Sequence, residues 1–216
     1  GFLRIANVKL DDAILDVGSG EGELLFLLHQ YGFSSLSGID PFISDNKNPF
    51  QGLNFIKGSI HDVNEKYDLI MFNHSLEHVT DPINDLLKAA TLLNPNKYVL
   101  IRIPVVGGYA WRTYGVNWVQ LDAPRHLSIP TVTGIRELAA LTGFSLDKVI
   151  YESWDFQFWG SEQIINGIPL HDKRSLFFKS KESIFSKKQI KDYKKKAEKL
   201  NLNNDGDMAC FFLRKL

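Results

Sequence analysis

The stretch AILDVGSGEGELL, residues 13–25, decides how the rest of the chain is read. A short apolar run ends in an aspartate-containing glycine turn, and helical spacing begins at once. Such a strand–loop–helix unit holds nucleotide-like ligands, because free backbone N–H groups at the helix start face the loop. The glycines are Gly18, Gly20 and Gly22. A dinucleotide fingerprint wants its third glycine one place later, where this chain has Glu23. No Lys-Ser/Thr pair follows, so a phosphate-cradling P-loop is excluded. Glu21 and Glu23 are expected in the first helical turn, where carboxylates repel a pyrophosphate but tolerate a cationic, phosphate-free ligand. Asp40 ends the second apolar run, 22 residues beyond Gly18 (40 − 18), placed to accept hydrogen bonds from two ribose hydroxyls. The pattern points to a nucleoside ligand.

Outward from this unit, strand and helix signals alternate. Strands are expected at 13–17, 36–39, 53–56, 68–72, 98–103 and 144–151. Helices are expected at 21–31, from 82 to about 93 behind Asp81-Pro82, and at 131–141 before Gly143. DLIMF at 68–72 is continuously apolar, as a strand covered on both faces must be. Alternation of this kind gives a doubly wound α/β sheet. The last third differs. Residues 173–199 carry eleven Lys or Arg against three Asp or Glu, a local balance of +8 (11 − 3). Ser186 and Gln189 there form a capping box, with Phe185 and Ile190 as the staple around it. Ile190, Tyr193, Ala197 and Leu200 continue one apolar stripe. The expected surface is a solvated lysine face, with a handle for an anionic substrate or membrane as the sharper reading.

Composition narrows the function classes. The chain has 216 residues, 44% hydrophobic and 23% charged, with formal net charge zero, so no global field draws it to nucleic acid or membrane. Its single cysteine, Cys210, excludes an internal disulfide and fits a reducing, cytoplasmic setting. No apolar run reaches the roughly 18 residues that span a bilayer, so no stable membrane insertion is expected. No secretory signal pattern opens the chain, which begins at Gly1.

DVGSGEG, GIDP, KGSIHDV and YDLIMFNHSLEHVTDP, in this order and spacing, resemble the class I S-adenosylmethionine-dependent methyltransferases. LDAPRHL at 121–127 further resembles the bacterial branch grouped with ubiquinone-biosynthesis-like methyltransferases, which carry a PRHL motif. The resemblance implies a Rossmann-like seven-stranded sheet, mostly parallel, with an antiparallel last strand inserted between the fifth and sixth. DMACFFLRKL suits that strand. It also implies one methyltransferase domain over 1–216, with a cap at about 104–128 and a basic helical insertion at about 155–205. The family usually has a lid before its first strand, and only about a dozen residues precede it here. With S-adenosyl-L-methionine as cofactor, Asp16, Gly18, Ser19 and Gly20 would line its methionine part. Asp40 and Pro41 would hold the ribose side, and Gly58, Ser59 and Ile60 would frame the adenine. Asn73 and His74 would lie beside the methionine carboxylate and sulfonium. Where the family usually carries an aspartate against the adenine amino group, this chain has Ser59, a weaker acceptor.

HSLEH at 74–78 formally fits an H-x-x-E-H zinc motif, which needs both histidines on one face of a continuous helix. A segment leaving a buried strand and meeting Asp81-Pro82 so soon cannot supply that helix. No metal site is assigned. Glu77 and His78 are expected to order the loop by hydrogen bonds, a divalent ion being the alternative. Base-amine methyltransferases usually show Asn or Asp, two prolines and an aromatic after the fourth strand; Asn73-His74-Ser75-Leu76 disfavours that substrate, so no nucleic-acid partner is expected. Arg125 and His126 are the candidates for anion binding and proton abstraction. The aromatic residues at 109–118 and 154–159 are expected to roof the site. The expected reaction is O-methylation of a small molecule or glycan, at a sugar hydroxyl or quinone-type phenol. A non-catalytic S-adenosylmethionine-binding scaffold and, more distantly, a nicotinamide-dependent oxidoreductase are the alternatives.

Overall fold

The computed structural model describes residues 1–178 and 181–216; Lys179 and Ser180, within the expected basic segment, lie outside the described residues. In chain order the first elements are α1 Phe2–Ile5, β1 Ile14–Val17, α2 Glu23–Gln30, β2 Leu36–Asp40, β3 Lys47–Phe50, β4 Leu53–Lys57 and β5 Tyr67–Asn73. Then come α3 Pro82–Leu92, β6 Leu93–Pro104, α4 Tyr109–Tyr114, α5 Val132–Leu141, β7 Phe144–Tyr151, α6 Phe156–Ile165, α7 Lys187–Leu202 and β8 Met208–Lys215. Two compact units divide them. One comprises Gly1–Ile103, Val132–Val149 and Cys210–Leu216; the other comprises Pro104–Thr131 and Ile150–Ala209.

The first unit is built on an eight-stranded sheet in the order β3-β4-β2-β1-β5-β6-β8-β7. β1 pairs in parallel with β2 and β5, β2 with β4, and β5 with β6. All four residues of β1 are buried, as are Leu69–Phe72 in β5. Pro82 opens α3, and the Asp81 carboxylate caps it by accepting from Asn84 N–H at 3.0 Å. At one end of β7 and β8, Leu216 N–H donates to Gly143 O; at the other, Glu152 N–H donates to Met208 O. That crossing makes β8 antiparallel to β7. Seven strands therefore take the expected order, and β3 is an eighth, antiparallel to β4 at the sheet edge. It is exposed at every residue and contains Pro49, which an edge strand tolerates and a hydrophobic pattern cannot signal.

α2 starts later than expected, at Glu23. Gly18, Gly20 and Gly22 take left-handed φ of +76°, +53° and +84°, so the chain is still turning at Gly22. A Cβ at Gly22 would lie 2.2 Å from the Phe55 ring. Glu21 therefore sits outside the helix, where it meets Lys47 at 3.4 Å on the surface. Only Glu23 occupies the first turn.

The second unit holds α4, α6 and α7. Phe158, Ala197 and Leu200 form one buried cluster there, with Tyr109, Tyr114 and Tyr193 packed around them. Ser186 Oγ accepts from Gln189 N–H at 3.2 Å, and Gln189 Oε1 accepts from Ser186 N–H at 2.9 Å. Near the start of β8, the buried Asp207 carboxylate accepts from Trp118 Nε1 at 2.9 Å, while its other oxygen has no hydrogen-bond partner. Burial pushes this carboxyl up to about 6, against the lowering effect of Trp118 and Ser153.

Candidate active site

Where β1, β2, β4 and β5 end, the first unit opens into a cavity of about 580 Å³. This is the crevice that a doubly wound sheet leaves at the carboxyl ends of its strands, where strand order reverses about β1. Gly18, Asp40, Pro41, Gly58, Ser59, Ile60 and His74 line it, together with Phe42, His61, Ser75 and His78. The glycine loop is pinned from two sides. Asp40 Oδ2 accepts from Gly20 N–H at 3.0 Å, and Oδ1 accepts from Phe42 N–H at 2.7 Å. Ser75 Oγ donates to Val17 O at 2.6 Å and closes against Gly18, where a Cβ would lie 2.4 Å from that of Ser75. Asp40 is thus a buried, oriented carboxylate whose oxygens keep lone pairs for a ligand's hydroxyls.

Asp16, Ser19, Gly20 and Asn73, also expected at the cofactor, are not among the lining residues. Asn73 Nδ2 donates to Asp16 Oδ1 at 2.9 Å, and Arg102 Nη1 donates to Asn73 Oδ1 at 3.4 Å. Burial raises the Asp16 carboxyl to about 6, against the lowering influence of Asn73 and Arg102 and helped slightly by Asp40. Such a site favours a cation nearby, which would restore its charge. Ser19 Oγ is buried beneath the loop without a hydrogen-bond partner, close to Gly38. Across the cavity, Ser59 donates both its N–H and its hydroxyl to Asp62 Oδ2, at 2.8 and 3.1 Å. Those bonds hold the Asp62 carboxyl below its usual value. They close a one-turn 3-10 helix, Ile60–Asp62, that no sequence periodicity announces.

HSLEH forms no continuous helix. His74 has a left-handed φ of +52°, and a single 3-10 turn covers Leu76–His78. One expectation needs correction: Glu77 orders nothing by hydrogen bonds. It is 1% exposed, and neither carboxylate oxygen has a hydrogen-bond partner; His74 Nδ1 approaches Oε1 at 3.6 Å. Among the lining residues, Ser75 and Phe42 were not read from the sequence. Phe42 is 94% exposed, an apolar ring left in water directly after the Asp40-Pro41 turn, and that placement was its only available signal.

Arg125 and His126 lie in the second unit. His126 Nδ1 is 2.6 Å from Gln120 O, so that nitrogen carries the hydrogen and donates it. Nε2 lies 3.8 Å from Asp122 Oδ2, and Arg125 pairs with the same carboxylate at 2.5 Å.

A Rossmann-like sheet with an antiparallel last strand inserted before the edge, carrying an acid-pinned glycine loop, is the fold of methyltransferases. The chain belongs to the methyltransferase domain family, whose model matches residues 2–149. No curated protein sequence matches it. Solved structures share the fold at low identity. A candidate sarcosine dimethylglycine methyltransferase from Galdieria sulphuraria is 17% identical with a TM-score of 0.61; the match covers 99% of this chain and 82% of that one. The cyclopropane synthase MmaA2 from Mycobacterium tuberculosis is 15% identical, TM-score 0.57, over 95% and 78%. A 1,6-didemethyltoxoflavin-N1-methyltransferase from Burkholderia thailandensis, solved with S-adenosylhomocysteine, is 13% identical, TM-score 0.55, over 95% and 71%. S-adenosylmethionine as the cofactor is in keeping with this family and fold.

Proposed function

We propose that the protein transfers a methyl group from S-adenosylmethionine to a hydroxyl of a small molecule or glycan. The observation that carries the reading is the crevice at the ends of β1 and β2. It combines a ribose-ready Asp40 with a positive-φ glycine loop, and the neighbouring residue Asp16, at the end of β1, is a second buried acid. When bound, the cofactor supplies a methyl group activated on a positively charged sulfur. Asp40 would take the ribose hydroxyls, while Gly18, Ser19, Gly20, Asp16 and Asn73 would surround the methionine end, with His74 beside it. Pro41 would flank the ribose, and Gly58, Ser59 and Ile60 would frame the adenine, with the exposed Phe42 ring as a further cover.

The protein's contribution is alignment, exclusion of water and removal of one proton. A hydroxyl holds its proton too tightly at neutral pH to be a good nucleophile, so a base is needed. His126 suits that task. Its Nδ1–H is committed to Gln120 O, which leaves Nε2 as the basic nitrogen, and Asp122 would stabilise the imidazolium that forms. Arg125 would hold an anionic group of the acceptor. The test is calorimetry with S-adenosylmethionine, S-adenosylhomocysteine, NAD and ATP, followed by methyl transfer to sugar and quinol acceptors. Tighter binding of NAD would return the site to the oxidoreductase alternative, and cofactor binding without any transfer would leave the scaffold reading. One observation favours a cation-assisted variant: the Glu77 carboxylate is buried without a hydrogen bond. One of its oxygens and one ring nitrogen of His78 lie within 4.8 Å of each other, two of the ligands a divalent ion would need. Loss of activity on chelation, restored by added magnesium or manganese, would support that variant.

A further inference from the structure

The chain carries no net charge, but its cations are not evenly spread. α7 packs through Tyr193, Ala197 and Leu200, which occupy one side of the helix. Lys187, Lys188, Lys191, Lys194, Lys195 and Lys199 are all exposed. At about 100° per residue they fall on one arc of roughly 140° opposite the packed side. Glu198 is the one acidic residue inside that arc. Leu202 lies near its middle, 85% exposed. Lys196, on the flank, is committed elsewhere: its ammonium donates to Tyr109 Oη at 2.6 Å and lies 3.9 Å from the centre of that ring.

The segment ahead of α7 adds exposed apolar groups. Phe177 and Phe178, in a short 3-10 turn, are 51% and 55% exposed. Their rings pack edge to face at 5.2 Å, and His171 packs against both, at 5.4 and 6.1 Å. The rings are therefore held by each other and the imidazole while more than half of each faces water. Ile184, just before the helix cap, is 46% exposed. Lys173, Arg174 and Lys181 stand in the same stretch, all exposed.

We propose that the lysine face of α7, together with the exposed apolar residues of the segment ahead of it, docks the protein reversibly on an anionic lipid surface. The proposal goes beyond methyl transfer and does not depend on it. Charge complementarity supplies the attraction, since clustered lysines are drawn to the negative potential of such a surface and release it at high salt. The exposed Phe177, Phe178 and Ile184 side chains supply the second signal, because apolar groups leaving water for the interface add what charge alone lacks. A lipid surface fits better than nucleic acid. The helix face is broad and convex, and its exposed cations are lysines without the arginine forks that read phosphate and base edges.

The test is co-sedimentation of the full chain with vesicles of phosphatidylcholine alone and with about one-third phosphatidylglycerol. Expected is partitioning to the anionic vesicles only, lost at about 0.5 M salt. Lys191→Glu/Lys194→Glu/Lys195→Glu should reduce it at least tenfold. Phe177→Ser/Phe178→Ser should weaken it several-fold while leaving its salt dependence in place. Both variants should bind S-adenosylhomocysteine like the parent, which separates loss of docking from loss of folding. Equal binding to neutral vesicles, no binding to anionic ones, or unimpaired binding by the lysine variant would overturn the proposal. So would tighter binding to an oligonucleotide than to the vesicles.

Discussion

Asp16→Asn is expected to stabilise the protein without its cofactor and to weaken cofactor binding. Asp16 is buried beside Asn73, and its carboxyl is raised from 3.8 to about 6, chiefly by burial. Between those values the folded protein binds a proton that the unfolded chain does not, so stability falls as pH rises from about 4 to 6. A carboxyl raised from 3.8 to about 6 corresponds to a destabilisation of roughly 3 kcal/mol at neutral pH. Asparagine keeps the oxygen that accepts from Asn73 Nδ2 and removes the buried charge. At neutral pH the variant should therefore melt higher by about 6–12 °C, on the scale of roughly 2–4 °C per kcal/mol for a chain this long. Below about pH 4 the advantage should vanish, since the carboxyl is then protonated in both states. On the proposed placement of the cofactor, affinity for S-adenosylmethionine should drop at neutral pH, because the carboxylate assigned to the methionine end is gone. Melting curves at about pH 4, 5.5 and 7, with calorimetry on the same samples, read both effects. A variant that melts lower at neutral pH, or by the same increment at every pH, would refute the burial argument.

Asp40→Ala should remove two charge-assisted hydrogen bonds to the ribose, about 1.5–3 kcal/mol each, and release Gly20 and Phe42 N–H; calorimetry with S-adenosylhomocysteine measures it. Gly18→Ala places a Cβ 2.4 Å from that of Ser75 at a φ of +76°, so it should loosen the loop and weaken the same ligand, with partial recovery in Gly18→Ala/Ser75→Gly. Asp207→Asn keeps an acceptor for Trp118 Nε1 and removes a second buried charge, raising the melting temperature at neutral pH but not near pH 4; an Asp207→Ala variant that melts equally high would show that the Trp118 bond contributes little. His126→Ala should lower turnover by roughly 10²–10⁴-fold with little change in cofactor affinity, and Arg125→Ala should raise the acceptor KM; normal turnover would make His126 a support for its loop through Gln120.

Periodic, buried elements were legible because their side chains must match the faces they cover. DLIMF reads as a central strand since both its faces are buried, and Ser186 with Gln189 reads as a helix start because the bonds are local. β3 escaped because KNPF buries nothing and so leaves no pattern. α6 escaped for the opposite reason: Gln157–Ser161 is buried without a gap, so its apolar and polar residues mark no single face. In the site, glycines and Asp40 were legible because loop geometry demands those residue types. Ser75 was not, because its role depends on a contact 58 positions away with Val17. Glu77 was misread because a sequence shows a carboxylate but not whether a donor reaches it.

The place of β8 between β6 and β7 has a consequence for synthesis. Every other strand leaves the ribosome earlier, and until residues 208–215 emerge β6 and β7 have a vacant slot between them. β8 is buried from Met208 to Leu213, so the nascent chain must carry open strand edges and uncovered apolar surface until then. Lys215, whose ammonium reaches back to Leu93 O at 2.6 Å, ties the end of that insertion to the start of β6. Translation through the basic helix α7 is thus a window in which the half-built sheet exposes strand edges that could pair with another chain.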